Sequence, residues 1–235
     1  MGMLEDALRV YAKFEDRTTD PATPAAGEGL VYVKDGKLHT KDDAGTVVEY
    51  GTGGGGGGDG ALTLLDTVTL GSDGTITFTS ISGGYNDLVL VGLLRDDDAA
   101  ETVNSIQMRV GNGTVDTGSN YGYFTYSARG DNTANVSSSS NSATAAFVGR
   151  TCVANGATAG RFTPVRIELF EYANTAVYRQ YLAEAADWRA LGNNRHSHAS
   201  GEWQNTTDAI NIVQLLGDAG GSFKAGSKVR LYGRL

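Results

Sequence analysis

The sequence predicts a mainly β protein. It divides into a small N-terminal β-meander with a possible short helix before it, a glycine-rich linker, and a C-terminal antiparallel β-sandwich of jelly-roll type. Three observations carry this. Gly is abundant at 33 of 235 residues and Pro scarce at 3, a composition that favours short strands and many turns over helices. β-prone runs recur along the chain, separated by Gly, Asn and Asp turn signals. The stretch GTGGGGGGDG, with Gly53, Gly54, Gly55, Gly56, Gly57 and Gly58 in a row, separates residues 1–50 from residues 61–235.

The first segment, MLEDALRVYAKFED (3–16), fits two periodicities. Leu4, Leu8, Tyr11 and Glu15 sit at helical spacing, whereas Leu8, Val10, Ala12 and Phe14 alternate as in a strand. The content of Leu, Ala, Glu, Lys and Arg tilts it towards helix. TTDPATPAAGEG follows as an extended loop. Then LVYVK, KLHTK and TVVEY read as three strands, with Asp35-Gly36 and Ala44-Gly45 as their turns. Asp-Gly between alternating runs is a strong hairpin signal because both turn positions need positive φ. So small a sheet is marginal alone and is expected to dock on another body. The ten-residue linker spans about 17 Å as a flexible coil and at most roughly 35 Å extended. It reads as a spacer that lets the second unit reorient; glycine would also tolerate three chains crowding at one axis.

From residue 61 the pattern is strand after strand. The expected strands are 62–70, 75–80, 87–94, 105–111, 121–127, 144–149, 163–172, 177–185, 209–216 and 227–235. Short strands with turns of the type GSDG, SGGYN and GNGT are the signature of a β-sandwich. QYLAEAADWRAL has helical propensity but is read as strand because VYRQY leads into it. The polar tract NTANVSSSSNSA (132–143) is expected to be a long exposed loop, and no internal repeat is present.

The formal net charge is −8, without a cluster of Lys and Arg. That argues against nucleic acid as a partner and against an anionic membrane surface. No run approaches the ~20 apolar residues of a membrane span. The N-terminus carries charges where a signal peptide needs an apolar run, so synthesis in a cytoplasm is expected. The single cysteine, Cys152, excludes an intrachain disulfide and reads as a small buried apolar residue.

Few motifs suggest chemistry. GSFKAGSK (221–228) imitates a phosphate loop, but Ser227 precedes Lys228 and a strand-like run follows. Three histidines, His39, His196 and His198, and no nucleophile elbow leave little for a Ser-His-Asp machine. His39 reads as a packed or solvent-facing residue of the meander. His196 and His198, at i and i+2, point to one side of an extended segment. They are too few for a metal site in one chain and become candidates only at a threefold axis. The run RDDDAAE (95–101) lacks calcium-loop spacing and reads as a solvated acidic loop. No catalytic residue and no cofactor is expected. Tyr121, Tyr123, Tyr126, Trp188 and Trp203 are the candidates for a recognition surface, with core or subunit interface as the other reading of each.

Two stretches resemble a known family. Pro24, Gly27, Tyr32, Lys34, Asp35, Gly36, Lys37, Leu38, Lys41, Asp42, Gly45 and Thr46 match a meander found near the N-terminus of tailed-bacteriophage structural proteins, often before a Gly-rich linker. The ending with Phe223, Gly226, Ser227, Leu231, Tyr232 and Gly233 is similar to the last strands of jelly-roll domains that close tail-fibre, tail-tip and head-fibre proteins. The resemblance implies a non-enzymatic virion protein and commonly a homotrimer. The meander, with Tyr32, Asp35, Gly36, Leu38 and Gly45, would grip other virion proteins. The glycines would form the joint, and the jelly roll would project outward. The first expectation is a short tail fibre, spike or minor tail protein that attaches to host-surface glycans. The second is a head fibre or capsid decoration protein. A glycan depolymerase is the third, and it would need two carboxylates roughly 5–9.5 Å apart in a cleft.

Overall fold

The structure is a computed structural model that describes residues 16–50, 61–130, 136–188 and 194–235. Residues 3–15 of the helix-leaning run, and the hinge glycines, lie outside the described residues. The chain divides into two compact units, Met1–Gly56 and Gly57–Leu235. The described residues of both are built mainly from strands.

The first unit holds one sheet of four strands in the order β1 (Asp16–Arg17), β2 (Leu30–Lys34), β3 (Lys37–Lys41) and β4 (Val47–Tyr50). β1 runs parallel to β2; the other pairs are antiparallel. Lys34 pairs with Lys37 across a two-residue turn. Asp35 and Gly36 have φ of 51° and 75°, the left-handed pair that a type I′ turn requires. Gly45 also has positive φ. Tyr32 and His39 are buried in the sheet and stack with ring centroids 5.3 Å apart. The Tyr32 hydroxyl donates to Asp20 Oδ1 at 2.8 Å, and Lys34 Nζ donates to the same oxygen at 3.0 Å. Lys41 Nζ reaches the Pro21 carbonyl at 2.9 Å. These contacts lash the proline-containing loop to the sheet. Leu38, Val31 and Val48 stay exposed. By register, Val31, Thr40 and Val48 share the sheet face opposite Tyr32 and His39.

The second unit has two sheets. The larger contains eight strands in the order β11 (Val136–Ala143), β10 (Tyr121–Arg129), β15 (Arg195–Trp203), β14 (Arg179–Asp187), β13 (Thr163–Leu169), β7 (Asp87–Leu94), β17 (Lys228–Arg234) and β5 (Leu62–Thr69). The smaller contains β12 (Ala146–Val153), β8 (Val103–Asn112), β16 (Ile212–Leu216) and β6 (Ile76–Phe78), with the two-residue β9 (Thr114–Val115) paired to β8. All pairings in this unit are antiparallel.

One apolar interior joins the sheets. From the larger come Leu88, Leu90, Val165, Ile167, Val229 and Leu231; from the smaller, Ile76, Phe78, Ile106, Met108, Val213 and Leu215. Period-two alternation produces this. In β13, Thr163, Val165, Ile167 and Leu169 are buried while Pro164 and Arg166 are exposed. Cys152 is a free, buried thiol, and burial pushes its pKa up.

One expectation fails here, and one strand is absent from those expected. The serine tract is not wholly a loop: residues 136–143 form β11, an edge strand hydrogen-bonded to β10. A polar edge is tolerated because one side of the strand faces no further strand. The segment around His196 and His198 is β15, an interior strand paired on both sides. Its inward residues Ser197, Ala199 and Gly201 are too small to announce a strand, and β12 packs close against them.

The acidic run also departs from expectation. Arg95 and Asp96 are buried at the end of β7. The Arg95 guanidinium donates to the carbonyls of Asn155, Ala157, Thr158 and Arg161 at 2.9–3.3 Å, so the loop between β12 and β13 wraps around it. Asp96 Oδ1 accepts from the Asp98 amide and from Asn104 Nδ2, while burial raises its carboxyl above the ordinary range. Arg95→Met strands four carbonyl acceptors, and it is expected to destabilise the second unit by about 3 kcal/mol in urea unfolding.

Candidate functional site

The outer face of the eight-stranded sheet bears the site, and register determines which side chains share it. β15 pairs residue for residue with β10 and β14, placing Gly122, Glu202 and Gln180 in one cross-strand row. Phe124, Ser200, Leu182 and Glu168 form the next row. Tyr126, His198, Glu184 and Arg166 form a third. Gly122, Glu202 and Gln180 of the first row and Phe124, Ser200 and Leu182 of the second border a groove of about 510 Å³. Ser139 and Asn141 of β11 bound it on one side, and Phe170, just beyond β13, on the other. Phe124 stands in it with 54% of its surface exposed.

Beneath one end of the groove lies a hydrogen-bonded knot centred on Asp116. Its Oδ2 accepts from Trp203 Nε1 and Asn120 Nδ2, each at 2.8 Å, and its Oδ1 accepts from the Gly118 amide at 2.7 Å. The Tyr121 hydroxyl accepts from the Val110 amide at 3.0 Å and has one proton to donate to the Asp116 carbonyl at 2.9 Å or the Val110 carbonyl at 3.1 Å. Tyr121 and Trp203 face each other across β10 and β15, one residue from Gly122 and Glu202. The knot therefore holds the strand ends that form the groove's rim. Burial raises the Asp116 carboxyl, but the hydrogen bonds from Trp203, Asn120 and Gly118 outweigh it and hold the group below the ordinary value.

Gly201 permits the second layer under the floor. A Cβ there would lie 2.2 Å from the Gly122 carbonyl and 2.6 Å from the Tyr181 ring. Tyr181 passes below and donates to the Phe147 carbonyl at 2.8 Å. Burial raises the Tyr181 phenol far above its usual range, so it stays neutral.

The aromatic candidates therefore part company. Tyr121 and Trp203 are core residues, each satisfied by internal hydrogen bonds. Trp203 also carries the Arg179 guanidinium 5.1 Å from its ring centre. Tyr123 is half-buried against Phe147, at 5.4 Å between centroids, and lines the groove from below. Tyr126 and Trp188 are exposed; Tyr126 lies one row from the groove. Sequence reasoning missed Phe124, Phe170, Gln180 and Glu202. Phe124 was legible as the outward member of YGYFTYS, but the others converge only through strand register.

His196 and His198 project from the same face with ring centroids 4.4 Å apart. His198 Nδ1 lies 3.3 Å from Glu184 Oε1, both side chains more than half exposed, a geometry worth little energetically. Among the described residues, no three His, Cys, Asp or Glu side chains group to hold a metal ion. A second groove, of about 530 Å³, lies elsewhere and sets Arg150 and Arg195 with Asp98, Glu101 and Asp218. The phosphate-loop imitation is structural: Phe223 and Ser227 are buried, Ser227 Oγ accepts from the Arg95 amide at 3.1 Å, and strand β17 follows. Asp73 secures that turn through Lys224 Nζ and the Ala225 amide.

No family model matches the chain, and neither a curated protein nor a solved structure matches it.

Two substitutions test the knot and the floor. Tyr121→Phe should cost about 2 kcal/mol in chemical unfolding, because buried backbone groups lose their partner. Gly201→Ala should cost about 1–3 kcal/mol by overpacking. pH tests Asp116. A depressed carboxyl contributes stability that is present above its unfolded pKa and lost as pH falls through the folded value. The melting-temperature gap between the native chain and Asp116→Asn should therefore be full above about pH 4 and close as pH falls below it.

Proposed function

We propose that the chain is a non-enzymatic structural protein of a tailed-bacteriophage virion, a short fibre, spike or minor tail protein whose second unit attaches to glycans on the host surface. The groove on the outer sheet face is the observation that carries this reading. It combines an exposed aromatic ring, Phe124, with hydrogen-bonding groups from Asn141, Gln180, Ser200 and Glu202. Apolar surface with a few convergent polar groups suits a small organic ligand. Among the described lining residues Glu202 is the one carboxylate, whereas sugar hydrolysis ordinarily uses two.

The second unit is read as a jelly roll with additions. Its strands β5-β17-β7-β13 and β6-β16-β8-β12 follow the order of two four-stranded sheets wound as Greek keys. Strands β10, β11, β14 and β15 extend the first of these, and the groove lies on that extension. The first unit is read as the anchor to neighbouring virion proteins. Its exposed apolar residues Val31, Leu38 and Val48 support that role, as does the resemblance at Tyr32, Asp35, Gly36, Leu38 and Gly45. Homotrimerisation would multiply weak single-site binding into avidity.

Adsorption of phage particles tests the reading. Particles whose copy of this chain lacks residues 61–235 should adsorb to host cells about tenfold or more less efficiently, as loss of multivalent contact predicts. An electron-dense tag at the C-terminus should appear at the tail end. Unchanged adsorption with the tag scattered over the head would overturn attachment in favour of a capsid decoration protein. Release of sugar from host envelopes by the purified chain would favour a depolymerase.

A further inference from the structure

The groove's lining is selective in charge as well as in shape. Among the described residues, no Lys, Arg or His is in its lining. Among the described lining residues the one charged side chain is Glu202, whose Oε1 accepts from Gln204 Nε2 at 3.1 Å. The other polar groups, from Ser139, Asn141, Gln180 and Ser200, are neutral donors and acceptors. The chain as a whole carries a formal charge of −8. An anionic ligand would thus approach a negative protein and meet the Glu202 carboxylate, while the Arg234 guanidinium, 5.8 Å from the Phe170 ring centre, is already paired with Asp87 and Glu168. A neutral pyranose ring meets different chemistry. Its C–H face can lie on the exposed Phe124 ring, and its hydroxyls can donate to Glu202 and exchange hydrogen bonds with the amides of Asn141 and Gln180. Gly122, without a side chain, opens the space beside Glu202; a Cβ there would crowd Glu202 and Gln204 at 3.2–3.5 Å.

Resting on the attachment reading for its setting, we infer that the groove takes an uncharged hexopyranose unit of a host glycan and rejects acidic sugars. Phe124 is the stacking platform and Glu202 the acceptor for a pair of hydroxyls. Hydroxyl donation to a carboxylate is a charge-assisted bond, stronger than one between neutral groups. The same carboxylate therefore favours the neutral ring and disfavours the acidic one.

Matched sugar pairs test this with the full-length chain. Binding of neutral and N-acetylated hexose disaccharides, and of the uronic acid counterparts of the neutral ones, is measured by saturation-transfer NMR and calorimetry. At least one neutral disaccharide should bind. Its uronic counterpart should bind roughly tenfold or more weakly, and Glu202→Gln should narrow that gap. Phe124→Ala should lower affinity about tenfold or more, since it removes the aromatic face. Tyr126→Ala, outside the lining, should leave affinity unchanged. The inference is overturned if the uronic sugars bind as well as the neutral ones, if Phe124→Ala binds normally, or if none of the disaccharides binds. Host adsorption separates the two readings. A chain that adsorbs to cells but binds none of these sugars sinks the groove assignment alone. A chain that binds a neutral sugar through Phe124, but whose loss leaves particle adsorption unchanged, sinks the attachment reading alone.

Discussion

The register of β15 is the constraint on which the second unit depends. This strand pairs with β10 on one side and β14 on the other, and its residues alternate between two environments. Ser197, Ala199 and Trp203 face the interior; His196 and His198 face solvent, with Ser200 and Glu202 on their side of the strand. Because the side-chain period of a strand is two, a slip of one residue would exchange every one of these positions. It would expel Trp203 from Asp116 and Arg179 and push Glu202 inward. Core and groove are two faces of one pairing, so neither can form without the other.

What holds that register is more polar than apolar. The inward positions of β10, β14 and β15 include Thr125, Ser127, Ala183, Ala185, Ser197 and Ala199, all buried and all small. They let β12 approach closely, and the large side chains that anchor the region stand at its end. Tyr121, Trp203 and Tyr181 each spend a polar atom on a fixed partner there. Buried hydrogen bonds add modest net stability, but leaving a buried donor or acceptor without a partner is costly. The Asp116 knot thus selects one register against its neighbours. Further along the same sheet, around Ile167, Leu90 and Leu231, the interior is aliphatic, and ordinary burial takes over.

The aliphatic part was legible in the sequence. DLVLVGLL coincides with β7 at Asp87–Leu94, and the expected strand 163–172 starts with β13 but overruns its end at Leu169; branched and aliphatic residues occupy the inward positions of both apart from Gly92. The Asp35-Gly36 turn was equally readable, since few residue pairs tolerate two left-handed conformations in succession. RHSHASGEW and VSSSSNSA were opaque for one physical reason. Apart from the terminal Val136 and Trp203 their inward positions are small or polar, so no hydrophobic alternation marks them, and only pairing with β10 and β14 makes them strands. The same cause hid the candidate site. Glu202, Gln180 and Phe124 lie on three strands and share a row or adjoin one only through register, which composition does not encode. Buried Asp96 was hidden differently: a triple-aspartate run looks solvated, yet Arg95 and the loop it gathers carry its first member inside.

Labelling of single cysteines along β15 tests this arrangement most directly. Cysteine is introduced one position at a time from residue 196 to residue 203, and reaction with a water-soluble thiol reagent is followed in the folded chain. The buried native Cys152 should contribute nothing. The account predicts fast labelling at 196, 198, 200 and 202 and protection at 197, 199, 201 and 203. Uniform labelling along the segment, or alternation in the opposite phase, would contradict it and would dismantle the groove together with the core beneath it.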